Sequence, residues 1–278
     1  MLRGHAKMGL KTALITGGSV MIVGGAMVII GLSTGANTAI TWDNGPKIIK
    51  THKINKTLAD HQYKKLTING GSSSIVNLVQ GDDWHVSGHY TNVDQFKLHA
   101  DNDNLKVTMH DRNRFMFGVE PESQKLTITV PRGVSLDQLS VRTEGSGIIA
   151  KGISAKNITM TNYYGGVRLQ SLHANKISVN GESSKYRLKD VTANQLHVSG
   201  DDTTFSADRL TLKEASDIKG DNSDITLKNV IVPGMKVINE DSDLEVENKD
   251  QGETDYVTGD QSKALKLTGE YASITINH

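Results

Sequence analysis

The stretch that decides the fold is residues 139–212, which in four successive segments reads LSVRTEGSGIIAKGISAKN, ITMTNYYGGVRLQSLHANK, ISVNGESSKYRLKDVTANQ and LHVSGDDTTFSADRLTL. Apolar residues recur along it in steps of 19, in these columns: Leu139, Ile158, Ile177 and Leu196; Val141, Met160, Val179 and Val198; Ile148, Val167, Tyr186 and Phe205; Ile153, Leu172, Val191 and Leu210. Such a period is typical of a repeat architecture whose units bury their apolar sides by stacking on one another.

Within each repeat the apolar residues alternate with polar ones, as Ile177 does with Val179 and Tyr186 with Leu188. This alternation predicts strands, because successive side chains of a strand point to opposite faces. Clusters rich in Gly, Asp and Ser, such as 144–147 and 201–203, predict corners between the strands. The sequence therefore predicts an all-β fold, a single-stranded β-solenoid (β-helix) with 19-residue coils about 4.8 Å apart.

The repeat extends in both directions with less regularity. The same offsets recur at Ile218, Ile225, Val237, Leu244, Leu267 and Ile274, with an insertion around Lys249–Gln261, and in the other direction at Leu126 and at Leu66 followed by Ile75. We therefore predict a regular β-solenoid over residues 126–278. Residues 58–125 are predicted to form an N-terminal β cap with irregular coils.

The N-terminal segment has the pattern of a membrane anchor. Residues 12–32 carry no charged side chain, and 21 residues suffice to cross a bilayer. Because Arg3, Lys7 and Lys11 precede the run, we predict a cytoplasmic tail over 1–11, a transmembrane α-helix over 12–32 and a linker over 33–57. The alternative is a signal peptide cleaved near Thr34-Gly35-Ala36, although the apolar run is longer than a usual signal core.

This pattern predicts a single-pass protein of the cell membrane, with the lipid bilayer as the partner of residues 12–32 and an extracellular solenoid. The chain has no cysteine, which excludes disulfides and thiolate metal sites. Its zero net charge divides unevenly, since residues 47–199 carry 20 Lys and Arg against 13 Asp and Glu, whereas residues 200–278 carry 8 against 17. The alternative is that this charge difference has no function and reflects random variation among solvent-exposed side chains of the strands.

One corner position is acidic in six of seven coils. Its members are Glu144, Tyr163, Glu182, Asp201, Asp221, Glu240 and Glu270. Carboxylates stacked about 4.8 Å apart repel each other and attract cations, and Ca²⁺ accepts such ligands with loose geometry. The predicted Ca²⁺ column comprises Glu144, Glu182, Asp201, Asp221, Asp224, Glu240, Asp241 and Asp243. The alternative is that Asp and Glu merely suit corners and are screened there.

Tyr163 and Tyr164 are adjacent at one predicted corner and are candidate contact residues, because exposed aromatic side chains anchor interfaces. The alternative is that they pack against a neighbouring coil. No nucleophile elbow, poised carboxylate pair, phosphate-binding loop or zinc-protease motif occurs, so we predict no catalytic residues and no cofactor other than the Ca²⁺ just described. We predict no nucleic-acid partner, because the protein is predicted to be external and has zero net charge.

A resemblance appears at residues 126–147. Leu126-Thr-Ile128-Thr-Val130-Pro131-Arg-Gly133 leads through Leu136, Leu139 and Val141 into Thr143-Glu-Gly145-Ser-Gly147. This run resembles the adhesin-like β-solenoid domain family of bacterial membrane-anchored cell-surface proteins, and the likeness extends from about Leu66 to the C-terminus. The resemblance implies a β-solenoid on the cell envelope, a Gram-positive source and, for some members, a part in envelope-stress sensing. The Tyr163-Tyr164 corner departs from the usual Ser-Gly.

The leading functional hypothesis is a non-catalytic cell-surface module for adhesion or envelope sensing. A cell-wall polymer, a host glycan or another membrane protein would be its partner. Two alternatives belong to other classes: a structural scaffold whose coils assemble end to end, and a glycan-active β-helix enzyme. Light scattering distinguishes the first alternative, and release of reducing ends from glycans distinguishes the second.

Overall fold

The structure is a computed structural model that describes residues 10–33, 40–42, 46–58, 62–71, 74–91, 95–110, 116–117, 124–252 and 254–277. In chain order its elements are α1 Leu10–Ser33, β1 Ile40–Trp42, β2 Pro46–Ile48, β3 Thr51–Thr57, β4 Lys65–Asn69, β5 Ser74–Gly81, β6 His85–Thr91, β7 Gln95–Asp101, β8 Asn104–His110, β9 Met116–Phe117, β10 Gln124–Pro131, β11 Ser135–Glu144, β12 Gly147–Lys151, β13 Ser154–Tyr163, β14 Gly166–Asn180, β15 Lys185–Ser199, β16 Thr204–Leu212, β17 Ser216–Lys219, β18 Asp224–Lys228, β19 Gly234–Glu240, β20 Asp243–Val246, β21 Lys249–Asp250, β22 Tyr256–Gly259, a 3₁₀ helix Gln261–Lys263, β23 Ala264–Glu270 and β24 Ser273–Asn277.

The chain divides into two compact units, of which the smaller comprises residues 1–50 and 113–122. It contains α1 and a three-stranded antiparallel sheet in which β1 lies between β2 and β9. Among the described residues, no helix has the combination of length and hydropathy expected of a bilayer-spanning segment.

The larger unit comprises residues 51–112 and 123–278 and contains the stacked coils. Parallel pairing places Val141 beside Met160, Met160 beside Val179, and Val179 beside Val198. All four side chains are buried, as are the aromatic rings of Tyr186 and Phe205 in a neighbouring column. The pairings confirm the predicted all-β fold and the 19-residue step for residues 135–212, because each strand lies on its equivalent in the next coil.

The chain turns at two corners in each coil, where single residues adopt left-handed backbone conformations. The first corner column contains Gly145, Tyr164, Ser183, Asp202, Asn222, Tyr271 and Asp241, and the second contains Gly152, Ser171, Asp190, Arg209 and Asn229. These positions have φ between +48° and +72°. An L-residue other than Gly loses about 1–2 kcal/mol in this region, so stacking of the flanking strands must offset the cost at most of these corners.

A buried polar ladder lines the inner side of the first corner. Ser223 accepts a hydrogen bond from the Thr203 N–H at 3.0 Å and donates one to the Asp221 carbonyl at 2.9 Å. Ser242 does the same between the Ala272 N–H at 2.9 Å and the Gly269 carbonyl at 2.8 Å. Each hydroxyl therefore satisfies backbone groups that the corner removes from the strand ladder.

Spatial order and chain order differ at both ends of the larger unit. At the N-terminal end, β4 lies between β8 and β11, and β5 lies between β10 and β12. At the C-terminal end, β23 lies between β17 and β19. At each end, coils that follow one another in the sequence are therefore separated in space by a coil from another part of the chain.

Antiparallel strands cover the outermost coils. β7 pairs with β8, β6 pairs with β10, and β3 pairs with the other edge of β6. At the other end β22 pairs with β19, and the short β21 pairs with β20. These strands occupy hydrogen-bonding edges that would otherwise accept strands from a second molecule.

Three details of the structure concern the predicted boundaries and register. The range predicted as a linker, 33–57, contains β1, β2 and β3, and β3 is a strand whose Lys-rich, exposed side chains suit the edge of a sheet. β10, which contains the predicted boundary at residue 126, pairs in parallel with β5 of the N-terminal coils. Finally, Val76 and not Ile75 pairs with Ile148, because the turn before β5 contains one more residue than the repeat. Ile75 consequently faces outward and is 37% exposed.

Candidate binding surface

The predicted acidic corner column exists as a continuous backbone ladder. The Tyr164 N–H donates to the Glu182 carbonyl, the Ser183 N–H to the Asp201 carbonyl and the Asp202 N–H to the Asp221 carbonyl, each at 3.0 Å. The Asn222 N–H then donates to the Glu270 carbonyl at 2.9 Å, and Glu270 pairs with Glu240. Glu270 therefore lies between Asp221 and Glu240, which differs from the order along the chain.

The carboxylates proposed for Ca²⁺ do not all lie in this column. Asp224 and Asp243 project from β18 and β20 on the adjoining face, and Asp241 occupies a left-handed corner. Asp221 accepts a hydrogen bond from the Glu270 N–H at 3.1 Å. Within the residues that the structure describes, no three His, Asp or Glu side chains form a group suited to a metal ion, and the Glu240 side chain lies outside them. Calcium binding stays a prediction.

The two tyrosines of the predicted contact pair have different environments. The Tyr163 ring is half-buried, with the Arg142 guanidinium 5.9 Å from its centroid. Tyr164 is 68% exposed and has a φ of +58°. Tyr164 therefore presents an accessible aromatic surface, whereas Tyr163 packs along the strand face.

A different surface emerges from the outer faces of β12, β14 and β15. Five exposed basic side chains lie there, and we name them the basic cluster: Lys151, Arg168, Lys185, Arg187 and Lys189. Arg168 pairs with Arg187 in adjacent coils, so their Cα atoms are about 4.8 Å apart. Lys151 and Lys189 occupy one column with Gln170 between them.

Strand alternation positions these side chains. In β14 the neighbours of Arg168 are Val167 and Leu169, and in β15 the neighbours of Arg187 are Tyr186 and Leu188. All four neighbours are buried in the core, which forces the arginines outward. Because the inner residues fix the register, the outer positive charges stand on a rigid sheet.

The carboxylates nearest the basic cluster already have partners. Arg209 donates to Asp190 and, at 2.8 Å, to Asp208, and Asn229 donates to Asp208 at 3.1 Å. The hydrogen bond from Arg209 lowers the pKa of Asp190 and raises the pKa of Arg209 itself. Across the described ranges, none of the five basic-cluster side chains forms an ion pair, although Asp208 is the strand partner of Lys189 and the charge of Lys189 contributes to the lowered pKa of Asp190.

Two shallow depressions flank the arginine pair. One has a volume of about 260 Å³ and is bordered by Ile75, Ile149, Gly147, Gly166 and the arginines. The other, of about 340 Å³, extends from the same arginines towards Gln170, Lys189 and Thr226. Arg168 and Arg187 thus form a ridge between two recesses, one of which has apolar borders.

A third recess of about 520 Å³ lies beside β22 and contains His197, Asp217, Lys236 and Lys266. His197 Nδ1 is hydrogen-bonded to the Asp217 carboxylate. The two residues are partners in the β15–β17 pairing, so strand register brings them together. This recess has fewer unneutralised charges than the basic cluster.

Sequence reasoning missed the basic cluster, although its signal is present. Arg168 and Arg187 are 19 residues apart, the same step that defines the apolar columns. The period also applies to outward positions, where it gives the mixed column Lys151, Gln170, Lys189 and Asp208. In the neighbouring outward column it places Arg168 beside Arg187.

The chain is similar to one protein family and to several solved structures. No curated protein matches the chain. Among solved structures, a candidate cell adhesion protein from Clostridium sporogenes has 11% identity and a TM-score of 0.37, covering 82% of this chain and 99% of its own. A candidate adhesin from Bacteroides fragilis has 12% identity and a TM-score of 0.39, with coverage of 82% and 97%.

A candidate lipid binding protein from Parabacteroides distasonis has 11% identity and a TM-score of 0.32, with coverage of 82% and 96%. The family profile described as Toastrack DUF4097 matches residues 63–273, which is most of the chain and nearly all of the stacked coils. This protein therefore belongs to the Toastrack DUF4097 family.

Proposed function

We propose that this protein is a non-catalytic binding module, anchored in the membrane and displayed on the bacterial cell surface, and that the basic cluster contacts its ligand. The observation that carries the proposal is the set of five exposed cations on adjacent coils, without ion-pair partners among the described residues. Such a surface attracts acidic partners and accelerates their encounter. Because the sheet is already ordered, binding costs little conformational entropy.

The proposed anchor rests on the sequence of residues 12–32, which are uncharged and fall within α1. The basic residues before this run favour a cytoplasmic N-terminus. Protease added to intact cells tests the orientation: it should remove a tag at the C-terminus and leave a tag at the N-terminus intact. Protection of both tags would place the coils inside the cell.

Binding is tested with the full chain and washed bacterial envelopes in a co-sedimentation assay. The variant Arg168→Gln/Arg187→Gln should lose about tenfold in affinity, since each lost charge contact contributes on the order of 1 kcal/mol. The matched control Lys213→Gln/Lys219→Gln removes the same charge from exposed positions outside the cluster and should change affinity less than about twofold. If both variants lose the same affinity, the envelopes respond only to the total charge of the protein, and the basic cluster is not a defined binding surface.

A further inference from the structure

The geometry of the basic cluster indicates a narrower class of ligand than acidic molecules in general. We infer that it binds a phosphate ester, with the phosphate between Arg168 and Arg187 and the carbon portion in the depression beside Gly147 and Gly166. This inference rests on the proposed function and names the chemistry of the ligand at the same surface.

The arginine pair favours phosphate. Each guanidinium presents N–H donors in a planar fork that matches pairs of anionic oxygens. Arg168 and Arg187 are partners in adjacent parallel strands, so the two forks approach one anion from neighbouring coils. Lys185 and Lys189 flank Arg187 in the same strand and add point charges on either side. A tetrahedral phosphate can accept from donors arriving in several directions, whereas a planar carboxylate offers two oxygens in one plane.

The depression beside the arginines is built from glycine. A Cβ added to Gly166 would meet no atom closer than the Lys185 carbonyl oxygen at 3.8 Å, and one added to Gly147 would meet nothing closer than 3.9 Å. Neither glycine is therefore required by packing, yet together they leave the strand surface open for a ligand. Ile75, which is 37% exposed, and Ile149 border the space with apolar surface.

Size and polarity limit what can occupy this space. A volume of about 260 Å³ accommodates a glycerol or a single sugar unit but not a drug-sized molecule. Apolar borders beside two arginines suit a small carbon skeleton esterified to phosphate. Such esters occur both in phospholipid headgroups and in phosphodiester polymers, and these two sources share the chemistry that the site recognises.

The test uses the full chain held in phosphatidylcholine nanodiscs and immobilised on a sensor. Four analytes are passed over it: poly(glycerol phosphate), phosphatidylglycerol nanodiscs, poly-glutamate of equal charge, and phosphatidylcholine nanodiscs. Phosphatidylcholine is a zwitterionic phosphate ester and serves as the uncharged reference. We expect at least one of the two anionic phosphate esters to bind about fivefold more tightly than poly-glutamate, because bidentate phosphate contacts add to simple charge attraction. Whichever ester binds more tightly identifies the source.

Two substitutions separate phosphate recognition from charge. Arg168→Lys/Arg187→Lys keeps both charges and should still weaken phosphate-ester binding several-fold, because an ammonium lacks the guanidinium fork. Gly166→Val fills the depression and suits a strand, so we expect weaker binding of the ester with an unchanged or higher melting temperature. Thr161→Val, an outward position of the same coil on the other face, serves as the matched control and should change neither.

The outcomes distinguish the inference from the proposed function. If poly-glutamate binds as tightly as the esters, the phosphate inference is overturned and the binding module stands. If no anion binds, both fail. A salt-sensitive dimer in analytical ultracentrifugation that the double arginine variant abolishes would show that the occupant is a second copy of this chain, and would also overturn the inference.

Discussion

The middle of the larger unit and its two ends are built from the same kind of coil but are assembled differently. From β11 to β18 each coil lies on the one that precedes it in sequence, and all pairings along the stack are parallel. At the ends the coils interleave, so that β4 and β5 separate β8 and β10 from β11 and β12, and β23 separates β17 from β19. Antiparallel strands then close both ends.

This difference shows that stacking and termination are separate problems. A coil needs only apolar columns and corners to stack, which any number of repeats can supply. Termination needs strands that pair on one edge and leave nothing for a second molecule on the other. The middle carries the basic cluster on a rigid face, whereas the ends keep the stack from growing.

The largest expected effect concerns Gly181, where adjacent coils in the middle of the stack approach each other closely. A Cβ on Gly181 would lie 1.7 Å from the Asn162 carbonyl oxygen and 2.5 Å from the Tyr186 hydroxyl, so Gly181→Val should destabilise the protein by about 3–5 kcal/mol, in the range of severe core lesions. Chemical denaturation measures the loss. Gly166→Ala is the matched control, since its Cβ has open space, and a comparable loss there would show that glycine content matters in general and close approach does not.

The second prediction concerns the C-terminal end. Replacing residues 249–260 with a Gly/Ser linker of equal length removes β21 and β22 and exposes the edges of β19 and β20. The variant should form oligomers that grow with concentration, as measured by light scattering, because open strand edges recruit further strands. Val257→Thr keeps the strand and should stay as dispersed as the parent.

A variant that remains monodisperse while its melting curve stays cooperative would mean that the interleaved coils alone terminate the stack. If the parent protein itself polymerises, the structural scaffold becomes the better functional hypothesis. The same light-scattering measurement therefore tests both the role of the antiparallel strands and the main alternative to a binding module.

What the sequence could predict follows the same division. The columns through Val141 and Ile148 predict the middle because burial repeats with the period, and the pairings confirm them. The interleaving could not be read, since Leu244 and Ile274 satisfy the repeat equally well in either spatial order. The period predicts which side chains a coil buries but not which coil lies next to it in space. Exchanging two coils with similar apolar columns would bury the same apolar surface.

The binding surface was difficult to predict from the sequence for a different reason. The acidic corner is visible in the sequence because its residues share one charge, and a backbone ladder joins them in an order that places Glu270 between Asp221 and Glu240. For the arginine pair, the sequence does not show that Arg209 donates to Asp190 and Asp208, the carboxylates nearest the basic cluster. Charge balance between neighbouring columns depends on side-chain partners, which a period does not encode.

The third prediction concerns a titratable group buried in the middle. Burial raises the pKa of Tyr186 to about 12, compared with 10.0 for an ordinary tyrosine. The contribution of the Tyr186 hydroxyl to the free energy of unfolding is therefore fully present below pH 10 and is lost as pH rises towards 12. This loss occurs because Tyr186 ionises at a lower pH in the unfolded chain than in the folded one. We expect Tyr186→Phe to lose about 1–2 kcal/mol less than the parent between pH 9 and pH 12, measured by denaturation at each pH.

Tyr164→Phe controls for the removal of a tyrosine from an exposed position in the same region. If Tyr186→Phe loses as much stability over this pH range as the parent, the alkaline sensitivity arises elsewhere in the molecule. Among the buried residues of the equivalent column at the C-terminal end, Leu244 and Ile274 do not titrate. Alkaline unfolding should therefore begin in the middle and leave the end comparatively unaffected.

The smallest effect compares the two regions directly, because an exposed tyrosine occupies the same left-handed corner in each. Tyr164 lies in the middle with a φ of +58°, and Tyr271 lies in the interleaved C-terminal coil with a φ of +55°. Asn tolerates this conformation better than Tyr, so Tyr164→Asn and Tyr271→Asn should each stabilise the protein by about 0.5–1 kcal/mol. Equal gains in the melting temperature would show that the end unfolds together with the middle. A gain for Tyr164→Asn alone would show that the C-terminal coil opens first, because stabilising a segment that is already open leaves the global transition unchanged.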